Sequence, residues 1–157
     1  MQTNTTENTL ILGLGNLLLQ DEGVGIHVIQ AIEAGEAGPL PPYVRTLDGG
    51  TGGFQLVGEI QENDHVIMID ATLDGKPPGT VTVIEPRHAA DFPPLLSAHE
   101  IGLRDMIEAM TLSGSVPRIH LITISAANIS EIGMELTPAV KAAIPEVISK
   151  VKALLDE

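Results

Sequence analysis

The chain has 157 residues, enough for one domain with its own core and not obviously for two, and its 43% hydrophobic residues fall in separate segments, so a single folded domain over residues 1–157 is expected. Acids outnumber bases 21 to 8, for a formal charge of -13, which repels duplex nucleic acid and anionic lipid surfaces and sets both aside as partners. Cysteine is absent; disulfides, thiolate metal sites and a cysteine nucleophile are therefore excluded, and any metal must be held by oxygen and nitrogen.

The amino end, Met1 to Asn8, is polar, with no basic region ahead of an apolar one. No apolar run approaches the roughly 20 residues of a membrane span. A cytoplasmic protein, monomeric and with no membrane partner, is the expectation.

The first strand is the apolar run ending at Gly13-Leu14-Gly15-Asn16, and the loop after it carries Asp21 and Glu22 into Gly23-Val24-Gly25. Val24, Val28, Ala31 and Ile32 recur at helical spacing, with Gly35 as a stop. Tyr43 to Leu47 reads as a second strand, followed by Asp48-Gly49-Gly50-Thr51-Gly52-Gly53. That glycine run makes either a tight turn or a place where an extended substrate passes close to the backbone. Phe54, Leu56, Val57 and Ile60 suggest a short helix.

Val66 to Ile69 is a continuous apolar run, the mark of a strand buried on both faces, and it ends at Asp70. Thr80 to Ile84 alternates as a fourth strand, and Pro86 to Pro94 reads as an irregular loop. Ser97 is placed to cap a helix with Glu100 completing a capping box, the helix running to about Met110. Ile119 to Ile124 is a fifth strand. The last helix has Thr137 as N-cap, Pro138 in its first turn and a 3.6-residue period from Val140 to Leu155, with Pro145 expected to kink it and to orphan the Lys141 carbonyl. Strands alternating with helices imply a largely parallel α/β sandwich.

Glu22 follows the first strand, Asp70 ends the third and His99 opens a helix, so the topology brings a glutamate, an aspartate and a histidine to one edge. Such a donor set suits a divalent ion such as nickel or zinc and leaves positions open for substrate. Each residue also has a structural reading: a strand-terminal Asp caps or turns, a helix-opening His caps, and Glu22 is one of 21 acids. His65 starts the third strand at the opposite end from Asp70, His120 lies inside a strand and reads as packed and hydrogen-bonded, and His27 and His88 read as solvated. Gly13-Leu14-Gly15 with Asp48 as a ribose acid makes a poor dinucleotide fingerprint, because Leu18 stands where the third glycine belongs. No Gly-x-Ser-x-Gly elbow occurs.

Taken together, Gly13-Leu14-Gly15-Asn16, Asp21-Glu22-Gly23-Val24-Gly25, Asp48-Gly49-Gly50-Thr51, Asp70-Ala71, Ser97-Ala98-His99-Glu100-Ile101-Gly102-Leu103 and Leu136-Thr137-Pro138 resemble the hydrogenase maturation endopeptidases. The resemblance implies a three-layer α/β/α sandwich around a five-stranded, mostly parallel and partly mixed sheet. It implies Glu22, Asp70 and His99 as metal-binding residues, Glu22 and Asp70 as the catalytic carboxylates, and Asp48, Gly49, Gly50 and Thr51 as substrate-binding. The partner it implies is the nickel-iron hydrogenase large-subunit precursor, whose own nickel is recognised before one cut, after a basic residue, releases the carboxyl-terminal extension. The family is grouped with aspartic-type peptidases, although this chain has no Asp-Thr-Gly. A non-proteolytic metal-sensing or docking module for hydrogenase assembly is the alternative.

Overall fold

The structure, a computed structural model, describes residues 7–50, 55–92, 103–129 and 131–156. Its strands are β1 (Thr9–Leu14), β2 (Val44–Gly50), β3 (His65–Thr72), β4 (Val81–Ile84) and β5 (Arg118–Ser125). Its helices are α1 (Val24–Glu33), α2 (Leu56–Gln61), α3 (Leu103–Ser113) and α4 (Pro138–Leu155). Single 3-10 turns lie at Gln20–Gly23 and Ala89–Asp91.

The strands form one five-stranded sheet in the order β2-β1-β3-β5-β4, parallel except that β4 runs antiparallel to β5. Alternation along the strands divides the core in two. Ile11, Ile67, Ile69, Ile122 and Ile124 face α1 and α4, where Val28, Ile32, Val140, Val147 and Val151 meet them. Leu10, Leu12, Val66, Met68 and Leu121 face the other way, toward Ile60 of α2 and Ile107 and Met110 of α3. The fold is thus the three-layer α/β/α sandwich expected, and every residue of β1 and β3 is buried. Central strands covered on both faces carry near-continuous apolar runs, which is why they were readable.

Several boundaries differ from expectation for local reasons. β2 reaches Gly50 rather than Leu47, because a bulge pairs Leu14 with Gly50 and skips Gly49. β3 continues two residues past Asp70, since Ala71 and Thr72 pair with Ile124 and Ser125 of β5. α4 runs through Pro145 without a break; Lys141 and Pro145 are both exposed, on the solvent side of the helix. The Ser97–Glu100 capping box lies outside the described residues.

Candidate functional site

β1 ends at the carboxyl edge of the sheet, and the chain there turns through glycines that permit close approach. Gly15 adopts φ +140, and its N–H donates to the Gly50 carbonyl at 2.8 Å. Gly25, in the first turn of α1, lies so close to the end of β1 and to the middle of β3 that a Cβ would collide with the carbonyl oxygens of Leu14 and Ile69. Between them the Asn16 side chain accepts from the Leu18 N–H at 2.9 Å, and the 3-10 turn Gln20–Gly23 follows and packs against β3. Gln20 is the only described non-glycine residue with a positive φ, +47, and its Oε1 is buried without a hydrogen-bond partner among the described residues. Strain of about 1–3 kcal/mol is characteristic of such a position. The turn carries Glu22, 6% exposed, to the edge of the sheet.

Asp21 has a different task from its neighbour. It is fully buried, and its carboxylate accepts the backbone N–H groups of Ala127, Asn128 and Thr137 at 2.8, 3.0 and 2.8 Å, and the Thr137 hydroxyl at 2.7 Å. Its own N–H donates to the Asn128 carbonyl at 3.1 Å. Burial pushes its pKa up, but the donors from Thr137, Asn128 and Ala127 outweigh it and hold the carboxyl below the ordinary 3.8. Thr137 therefore stands at the N-cap position of α4 while its hydroxyl donates to Asp21 and caps no helical N–H. Asp21 thereby fixes the residue from which α4 starts without accepting any N–H of the helix itself.

Asp70, inside β3 and fully buried, accepts the Ala71 N–H on Oδ1 at 2.7 Å. β1 lies between β2 and β3, with α1 on one face of the sheet and α2 on the other. Crevices of this kind, at the carboxyl ends of strands whose connections leave in opposite directions, are where open α/β sheets bind ligands. Glu22 and Asp70 are therefore two buried carboxylates at the same edge. Asp48, Gly49 and Gly50 end the adjoining strand, where the Asp48 carboxylate accepts the Gly50 N–H at 3.0 Å. His99 and Thr51 lie outside the described residues, and among the described residues no three His, Cys, Asp or Glu side chains gather to hold a metal.

The remaining histidines are elsewhere. At the opposite end of the sheet, His65 Nε2 and His120 Nδ1 are 2.8 Å apart with both rings buried, and His120 Nε2 faces Glu85 Oε1 at 3.8 Å. Burial, reinforced by Arg118 and His120, lowers the His65 pKa to about 4. His120 is thus packed and hydrogen-bonded, as its place in a strand implied. His27, expected to be solvated, is half-buried and donates Nε2–H to the Met134 carbonyl at 3.0 Å. A cavity of about 400 Å³, lined by Arg87, His88, Ile107, Thr111 and Val116 beside α3, includes neither candidate carboxylate.

Asp21 is the residue that sequence reasoning passed over. The signal was present in the pair Asp21-Glu22, but its partners are more than a hundred residues away.

Comparison with known proteins adds relatives along nearly the full length. Residues 26–154 match the sequence profile of the family described as hydrogenase maturation protease, HycI. The hydrogenase 2 maturation protease of Escherichia coli K12 is 36% identical, over 94% of this chain and 90% of that protein. The hydrogenase expression/formation protein HupM of Azotobacter chroococcum is 33% identical, over 99% of this chain and 75% of that protein. Among solved structures, the E. coli hydrogenase maturating endopeptidase HybD superposes with a TM-score of 0.85 at 35% identity, covering 95% of this chain and 92% of that one. The [NiFe] hydrogenase maturation protease HybD of Thermococcus kodakarensis gives 0.75 at 30% identity, covering 94% and 99%.

Proposed function

We propose, since the chain belongs to the hydrogenase maturation protease family, that it removes the carboxyl-terminal extension of the nickel-iron hydrogenase large-subunit precursor by a single cut. The observation that carries the reading is the pair of buried carboxylates, Glu22 and Asp70, at one carboxyl edge of the sheet. Two carboxylates are costly to bury and gain most from a cation brought to them. The cation in this reading belongs to the substrate: the precursor's nickel, incompletely ligated, is met by Glu22, Asp70 and His99, a set of oxygen and nitrogen donors that suits a borderline divalent ion.

Engagement of that nickel sets the scissile peptide against the carboxylate edge, and Glu22 or Asp70 takes the proton of the attacking water. Asp48, Gly49, Gly50 and Thr51, at the end of the neighbouring strand, line the path of the extended substrate. A precursor without nickel lacks the group that fixes its position and is left uncut.

The test is the intact mass of the precursor, nickel-loaded and nickel-free, before and after incubation with this protein. Loss of one discrete carboxyl-terminal peptide from the loaded sample alone is the expected result. Complex formation with no mass change in either sample would instead make the protein a docking module.

A further inference from the structure

We propose that Leu18, Ile132 and Met134 form a docking ridge for the precursor, and that the ridge takes an extended segment carrying apolar side chains and basic charge. This rests on the processing reading above and names a contact surface for it. The three side chains are 57%, 86% and 55% exposed. They come from two segments fastened backbone to backbone: the Gly133 N–H donates to the Leu18 carbonyl and the Gln20 N–H to the Gly133 carbonyl, each at 2.8 Å. Leu19 and Gly133 form an isolated parallel bridge, which brings the backbones of Leu18 and Ile132 to neighbouring positions. Scattered exposed leucines need no explanation, whereas apolar side chains held together in water mark a contact surface.

Charge selects the occupant. The ridge runs through Glu131-Ile132-Gly133-Met134-Glu135, and both glutamates are exposed. An apolar strip between carboxylates favours a segment that is apolar and basic. A second copy of this chain, with a formal charge of -13, would bring like charges together.

The ridge is also joined to the candidate site. Leu18 lies just ahead of the turn that carries Glu22, the Asp21 carboxylate holds residues on both sides of Ile132, and His27 of α1 donates to the Met134 carbonyl. A segment seated on the ridge is therefore held in fixed register with Glu22.

The test compares initial processing rates over a range of nickel-loaded precursor concentrations, read by intact mass. The proteins are the wild type, Leu18→Ser/Ile132→Ser/Met134→Ser, the milder Ile132→Ser, and Glu131→Lys/Glu135→Lys, with melting curves to establish folding. The expected result is a rise in KM of about tenfold or more for the triple variant, a smaller rise for Ile132→Ser, and a salt-sensitive rise for the charge reversal. Unchanged KM in folded apolar variants, with wild type still cutting, overturns the ridge and leaves the processing reading standing. A wild type that cuts no precursor overturns both. A fall in KM on charge reversal overturns the basic segment, and a wild-type dimer dispersed by the triple variant, with KM unchanged, assigns the ridge to a second copy.

Discussion

The carboxylate of Asp21 accepts both the N–H and the hydroxyl of Thr137, at 2.8 and 2.7 Å, across a separation of 116 residues. Replacing Asp21 with Ala leaves these donors and the N–H groups of Ala127 and Asn128 without their acceptor. A loss of about 3–5 kcal/mol is expected, from the worth of hydrogen bonds to a buried charge. Asp21→Asn, which keeps one carbonyl oxygen, should lose about 2–3 kcal/mol. Because the folded pKa lies below 3.8, the contribution is complete above the unfolded value and is lost as pH falls through the folded one. Urea midpoints at pH 7 should separate wild type from Asp21→Asn, and midpoints near pH 3 should draw them together.

Glu22→Gln and Asp70→Asn keep size while removing charge. The amide of Asp70→Asn retains an oxygen for the Ala71 N–H, so folding should survive. Processing should fall by about a hundredfold, the ~3 kcal/mol of one charge-assisted contact, as read by intact mass of the loaded precursor. Full processing by either variant would remove that residue from the site.

Two glycines predict opposite outcomes for the same substitution. Gly58 of α2 has open space where a Cβ would go, so Gly58→Ala should stabilise by about 0.5–1 kcal/mol through helix propensity. Gly25→Ala would drive a methyl against the carbonyl oxygens of Leu14 and Ile69. Overpacking against backbone should destabilise by about 1–3 kcal/mol or more and displace the start of α1. Melting temperatures of the two variants should lie on opposite sides of the wild type.

The buried His65–His120 pair sets a second pH dependence. His65 stays neutral in the fold down to about pH 4, whereas in the unfolded chain it takes a proton near its ordinary value of about 6.5. The unfolded state therefore binds more protons between these values, and stability should fall as pH drops from about 6.5 to about 4, by up to about 3 kcal/mol. Stability measured across that window should decline less steeply in His65→Gln than in wild type.

The strands of this fold were legible because β1, β3 and β5 are buried on both faces and carry near-continuous apolar runs. The positions of Glu22 and Asp70 in the fold were legible because they follow or end apolar runs, whereas their burial was not. The 3-10 turn at Gln20–Gly23 was not, since a glutamine at φ +47 contradicts its local preference and is held there by pairing with Gly133. Asp21 was not, because a buried carboxylate is explained only by donors that sequence spacing cannot bring into view. Thr137 does stand at the N-cap of α4, but the donation of its hydroxyl to Asp21 was hidden for the same reason.

The order β3-β5-β4 has a consequence for how the protein is made. β5 is inserted between two strands that precede it in the chain, so during synthesis β3 presents an open edge and β4 has no neighbour until residues 118–125 have left the ribosome. The donors that fasten the Glu22 turn, Ala127 to Thr137, emerge later still. A nascent chain thus cannot fasten the turn that carries Glu22 until Thr137 has emerged, so the carboxylate edge forms after the rest of the sheet.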